Sequence, residues 1–405
     1  MTTATETTTQ GIPPEEGFIQ RIRANISAGN LGSWPVVIGL IIIVLFFSLK
    51  ADNFFTPGNF TNILTQMAGV TMLAYGVVFV LLIGEIDLSI SYVSGIAGVV
   101  VAQLTLAGSS HAIPGILAIA AAIGVCALIG LFQGSIVALI GVPAFVVTLA
   151  GFQIWQGVIQ KSIPQGVLSI QDNTVNNVAN YFFSEKAGWA MAIAVSAVYV
   201  ASTVASVVSR RRHGVAIRSP VMVVLKLVGI VAASFTVVAI CNKDRGVPFV
   251  LLLIVAMLLL WTFVAKRTTF GRHVYAVGGN AEAARRSGIN VPRVRIIVFM
   301  ISSGMAGLGG IVLAARLSSV DLNAGGGTLL IDAIAAAVIG GVSLFGGRGE
   351  VRDALFGSLV IATIANGLNT LNLTQGTIYI VTGSILLLAV TLDTVLRRRQ
   401  KKAGR

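Results

Sequence analysis

Two carboxylates two residues apart, Glu85 and Asp87, sit in the segment GEIDLS between long apolar runs. On a helix, residues at that spacing face nearly opposite ways; on an extended segment they share a face. Gly84 precedes them and Ser89 and Ser91 follow, which suggests a helix break where hydroxyls and backbone satisfy one another. Two readings are open. One is a polar loop joining two membrane segments. The other is a discontinuous helix whose polar break, with Glu85, Asp87, Ser89 and Ser91, lines a translocation path.

Other chemistry is absent from the chain. It has no GxxxxGK[ST] phosphate loop, no HExxH, no Cys/His metal spacing and no GxSxG. No cofactor or metal is therefore expected on this chain. Cys126 and Cys241 lie in apolar segments and read as small core residues rather than a disulfide or ligand pair. Few other ionisable groups fall inside apolar runs. Asp332 reads as the cap of its helix, and Lys226 can snorkel to headgroups. That is a poor relay for a proton-coupled carrier.

The longest polar island among the apolar runs is Phe270–Arg295, FGRHVYAVGGNAEAARRSGINVPRVR. It predicts one short helix with both ends marked. Asn280 caps the start, Glu282 lies in the first turn, Arg285 and Arg286 lie in the last, and Gly288 stands where a left-handed cap belongs. Gly278 and Gly279 precede it, and Pro292 follows. Such a helix either rests on lipid headgroups or docks a cytoplasmic partner. Ala281, Ala283 and Ala284 form a smooth face with little to offer lipid, which favours docking.

These features must be carried by a membrane framework. The chain of 405 residues is 55% hydrophobic and only 11% charged, with a mean hydropathy of +0.90; a soluble domain carries roughly 25% charged residues. The expected fold is an all-α polytopic membrane protein of about 12 apolar segments, some open to being broken or re-entrant. They fall at about Pro35–Leu49, Leu64–Ile83, Ile90–Leu106, Ile113–Ile140, Pro143–Ile159, Ala187–Val207, Pro220–Ile240, Val247–Val264, Ile296–Ala314, Leu329–Ser343, Ala354–Leu371 and Thr377–Leu392. Residues 1–32 read as a disordered cytoplasmic tail, 33–396 as the membrane domain with a cytoplasmic loop at 266–295, and 397–405 as a basic cytoplasmic tail.

The net charge of +13 is not a nucleic-acid signature, because of where it sits. With both termini cytoplasmic, the outer side receives only Lys50, Lys161, Lys186, Lys243, Arg245 and Arg316. Lys226 lies in an apolar run, and every other Lys and Arg falls inside, as the positive-inside rule requires. An internal echo also exists: Ile83-Gly84-Glu85-Ile86-Asp87-Leu88 against Ile339-Gly340-Gly341-Val342-Ser343-Leu344. Paired Gly-interrupted segments often border a transport path. Ser303, Gly304, Ala306, Gly307, Gly309 and Gly310 make the ninth segment a small-residue helix, able to pack within the chain or between copies.

GRHVYAVGGNAEAARRSGINVPRVR, IGGVSLFGGRGEVRDALFGSLV and GEIDLSISYVSGIAGVVVA together resemble the permease subunits of bacterial monosaccharide ABC importers. The branch is the ribose/xylose one, related also to branched-chain amino acid permeases. The similarity covers most of residues 60–395 and is nearest to xylose-type permeases. Relatives carry GGIDLS where this chain has GEIDLS, so Glu85 is a departure. The resemblance implies a homodimer, a cytoplasmic ATPase that uses ATP and Mg, an extracytoplasmic sugar-binding protein, and a plasma-membrane location. It also places the ATPase coupling helix at Gly278–Gly288. Covalent chemistry on the substrate is not expected. The alternative is a secondary, ATPase-independent transporter of small solutes.

Overall fold

The computed structural model describes residues 34–106, 108–110, 112–213 and 220–402. The tail at 1–32, His111, residues 214–219 of the basic loop after Arg212, and the last three residues of the basic tail lie outside the described residues.

The chain is helical almost throughout. In order the helices are α1 (Trp34–Lys50), α2 (Pro57–Leu82), α3 (Ile90–Leu104), α4 (Gly115–Ser135), α5 (Ala144–Ser162), α6 (Asn173–Asn180), α7 (Glu185–Arg212), α8 (Pro220–Asn242), α9 (Phe249–Arg267), α10 (Thr269–Gly279), α11 (Ala281–Arg286), α12 (Val291–Leu317), α13 (Leu329–Gly340), α14 (Val351–Thr370) and α15 (Gln375–Lys402). Local chemistry sets several ends. Thr56 accepts the Asn59 N–H, with Pro57 in the first turn of α2. Asn290 does the same for Arg293 at the start of α12. The long fourth segment runs on without a break: α4 passes into a π-turn over Ile136–Ile140 and stops at Gly141, φ +85°.

Among the described residues, seven helices are long and apolar enough to cross a membrane: Pro57–Leu82, Gly115–Ile140, Glu185–Arg212, Val221–Asn242, Phe249–Arg267, Val291–Leu317 and Val351–Thr370. Val36–Lys50, Ile90–Leu104, Leu329–Gly340 and Gln375–Leu388 are shorter apolar helices. The fifth expected segment is a helix, α5, but Gln153, Gln156, Gln160 and Lys161 keep it out of the long apolar set.

Three expectations need correcting. The fold is not purely α. Strand β1 (Val167–Ser169) pairs antiparallel with β4 (Ser319–Asp321), and β2 (Phe182–Phe183) with β3 (Val247–Pro248). These pairs join polar loops far apart in sequence, where periodicity carries no signal. The polar island holds two helices rather than one. Gly278 and Gly279 end α10 instead of merely preceding α11. Asp332 does not cap its helix. It accepts the Thr328 hydroxyl at 2.7 Å, and no side chain caps the backbone there.

The core is built on α2 and α12. Helix α12 packs against α2, α3 and α4. Its small residues are spent inside the chain: a Cβ at Gly310 would strike the Ser94 carbonyl, one at Gly309 would meet Leu73 and Gly69, and one at Gly307 would meet Cys126. Close backbone approach of this kind replaces the hydrophobic drive that is missing between helices in lipid. Helices α7 and α8 pack largely on each other, with Ser196 and Ser234 hydroxyls 3.0 Å apart, and turn apolar surface outward.

Candidate functional site

Three loops meet at one end of the molecule: the GEIDLS break between α2 and α3, the α10–α11 island, and the turn between α13 and α14. A Cβ at Gly278 would collide with the Leu82 carbonyl, and its neighbour there is the Gly347 N–H. Gly347 itself donates to Leu82 O at 2.9 Å. Tyr275 Oη donates to Gly349 O at 2.7 Å, and Lys266 pairs with Glu350 at 2.6 Å. Burial pushes the Tyr275 phenol up to about 12, with Glu350 and Asp353 adding to the shift, so it stays a donor.

The first break ends α2 in a Schellman arrangement. Glu85 N donates to Val80 O at 3.1 Å, around Gly84 at φ +77°. The chain then runs without regular structure to Ser89, and both acids face α12. Glu85 pairs with Arg295 at 3.2 Å. Asp87 is 4% exposed and accepts from Ser89 N at 3.0 Å, Ser89 Oγ at 2.7 Å and Ser302 Oγ at 3.2 Å. Arg295 and Ser302 are seven residues apart, two turns, so they lie on one face of α12. The shared-face geometry of an extended segment is the one present.

Gln133 completes this polar network. Ser89 has one hydroxyl hydrogen, given to Asp87. It also lies 2.8 Å from the Gln133 carboxamide oxygen, while Gln133 Nε2 is buried without a partner. The donor count therefore assigns the amide the other way round, with Nε2 donating to Ser89 Oγ. Asp87, Ser89 and Ser91 are all buried, and Ser91 Oγ has no hydrogen-bond partner. Burial of Asp87, Ser89 and Ser91 closes the break to solvent at those three residues.

The second break uses the same devices. Val342 N donates to Ala337 O at 3.0 Å around Gly341, φ +120°. Ser343 Oγ accepts the Phe345 N–H at 3.0 Å, as Asp87 accepts Ser89 N. The echo between the two stretches is thus structural, with the second shorter by one residue.

Helix α11 projects from this end. Asn280 Oδ1 accepts the Ala283 N–H at 3.0 Å, and Gly288 takes φ +83° after Ser287. Ala284 is 5% exposed and faces the body, while Glu282, Ala283, Arg285, Arg286 and Ser287 are exposed. Ala284 is therefore an anchor rather than part of a free face. Arg285 and Arg286 both bond Glu282, at 3.0 and 3.2 Å, and hold its carboxyl below the usual range. Part of the expected positive charge is spent within the helix.

At the opposite end the strand pair β1–β4 and the turn after it close over a cavity of about 510 Å³. Asp332, Thr328, Asn323, Gln375 and Tyr379 line it, with Ser94, Gly95 and Gly98 of α3. None of the cavity residues was singled out for chemistry from the sequence. The one available signal was an acid, Asp332, set among Leu329, Leu330 and Ile331.

Polar breaks in apolar helices, gathered beside a capped basic helix, are the architecture of a polytopic membrane transport protein. Residues 59–390 match the family described as branched-chain amino acid transport system / permease component, and this chain belongs to it. It is 34% identical to the xylose transport system permease protein XylH of Haemophilus influenzae, over 91% of this chain and 98% of that protein. It is 34% identical to XylH of Escherichia coli, over 96% and 97%. The ribose import permease protein RbsC of Escherichia coli is 31% identical, over 88% and 92%. No solved structure matches this chain. It is a multi-pass inner-membrane protein.

Proposed function

We propose that this chain is the membrane-spanning subunit of an ATP-driven importer of a monosaccharide, with xylose or another pentose favoured. The carrying observation is similarity along nearly the whole chain to permeases named for xylose, and at lower identity to one named for ribose.

In this reading a cytoplasmic ATPase, which binds the ATP and Mg, docks on Gly278, Gly279, Asn280 and the exposed face of α11 through Gly288. This chain binds no cofactor itself. An extracytoplasmic binding protein delivers the sugar to the other end. Two copies pair, and lipid covers the apolar faces of α7 and α8; nucleic acid has no part. The twelve-segment layout, with both termini cytoplasmic, is supported by charge. Lys266, Arg272, Arg285, Arg286, Arg295, Arg348 and Arg352 gather at the end carrying the breaks, whereas Lys161, Lys186, Lys243, Arg245 and Arg316 lie at the other.

The test is reconstitution with a cognate ATPase and binding protein of the same importer class. ATP-dependent uptake of D-xylose into vesicles is the expected result. Uptake that persists without any ATPase would favour a secondary transporter. A single cysteine at Asn177 is expected to react with an external thiol reagent while one at Ser287 does not; the reverse would overturn the layout.

A further inference from the structure

We propose that the 510 Å³ cavity under the 319–328 turn is the site where a neutral, polyhydroxylated sugar rests inside the permease. This rests on the import reading above and adds to it a place and a chemical class.

The cavity's size falls within the range of small-molecule sites, about 300–1,000 Å³. Its chemistry is one-sided. Among the described residues Asp332 and Asp321 are its only carboxylates, and no Lys, Arg or His lines it. Among the described residues Asp332 makes no ion pair, and its one side-chain hydrogen bond is from Thr328 to Oδ2. An acid held without a cation in a membrane helix is costly to keep and marks a function. Asp332 Oδ1 is left to accept a ligand hydroxyl. Asn323 and Gln375 supply amide donors and acceptors, and Tyr379 supplies a ring and a phenol. That set suits a polyol. It does not suit an amino acid, whose carboxylate would meet two acids and no cation, although the family's description names amino acids.

The cavity also stands where a path would lead. A Cβ at Gly325 would strike the Ser91 carbonyl, and one at Gly95 the Ala324 carbonyl. The turn therefore seals the floor against the start of α3. On the other side of that seal Ser89 joins Asp87, Gln133 and Ser302. The cavity and the closed break are successive compartments along α3 and α12.

The experiment uses the full reconstituted complex with D-xylose. Asp332→Asn keeps the shape and is expected to lower ATP-driven uptake about tenfold, the effect of turning a hydrogen bond to a charge into a neutral one, with ATPase binding unchanged. Thr328→Cys, in a Cys126→Ser/Cys241→Ser background, is expected to react with a membrane-impermeant thiol reagent and to be protected by D-xylose. Normal uptake by Asp332→Asn would overturn the proposal. So would reduced uptake without protection at position 328, because a purely structural Asp332 would give that. A wild-type complex that imports no sugar would instead sink the import reading.

Discussion

The break after α2 and the break after α13 end their helices alike, on a left-handed glycine followed by a side chain that accepts an N–H two residues on. They differ in what they touch. The first sets Glu85 and Asp87 against α12, through Arg295 and Ser302. The second touches the α9–α10 side, through Lys266 and Tyr275. One turn geometry thus serves two connections, and only the first sets its acids against α12. Helix α12 joins everything. It starts just after α11, passes the first break, and reaches the cavity at Gly310, about 29 Å from its start at 1.5 Å per residue.

The largest expected effect comes from a substitution that strikes both breaks together. Gly278→Val would drive a side chain into Leu82 O and the Gly347 N–H, where backbone must shift. Overpacking costs about 1–3 kcal/mol, and here it would separate the island from both breaks. Loss of uptake with reduced ATPase co-purification is expected, and a normal complex would break the comparison.

Asp87→Asn comes next. Hydrogen bonds to a charge are worth about 1.5–3 kcal/mol each, against 0.5–1.5 for neutral ones. Uptake by Asp87→Asn should fall about tenfold with insertion and assembly intact, as that difference implies. Ser343→Ala, the matching change in the second break, should be clearly milder. Equal effects would show that the two breaks are used alike.

The smallest effect concerns the Glu85–Arg295 pair, which is partly exposed and so worth about 1 kcal/mol or less. Arg295→Glu should slow uptake modestly, and adding Glu85→Arg should restore it. Failure of the double variant to recover would remove α12 from the first break's control.

Much of this was legible in sequence because it is local. The Asn280 cap, the Gly288 stop and the break at Gly84 each follow from a few adjacent residues. What escaped was distant. Glu85 and Arg295 sit in separate motifs, and nothing in either names the other. Ala283 and Ala284 are chemically identical in the sequence, and only the seating of α11 on the body separates the exposed one from the buried one. The cavity depends on a turn that folds back between α12 and α3, a path set by Gly95, Gly310 and Gly325 making room for backbone. Glycine counts cannot show which backbone fills that room.

In the proposed importer, α11 is the element that receives the ATPase's motion. The direct measurement is sugar-stimulated ATP hydrolysis by the reconstituted complex carrying Ala283→Trp, on the exposed face of α11, beside Ala284→Trp, on the buried one. Ala283→Trp should abolish stimulation while the permease remains inserted and stable; Ala284→Trp should destabilise the permease itself. Normal stimulation and normal ATPase binding in Ala283→Trp would contradict the claim and move the docking site to the turn between α13 and α14.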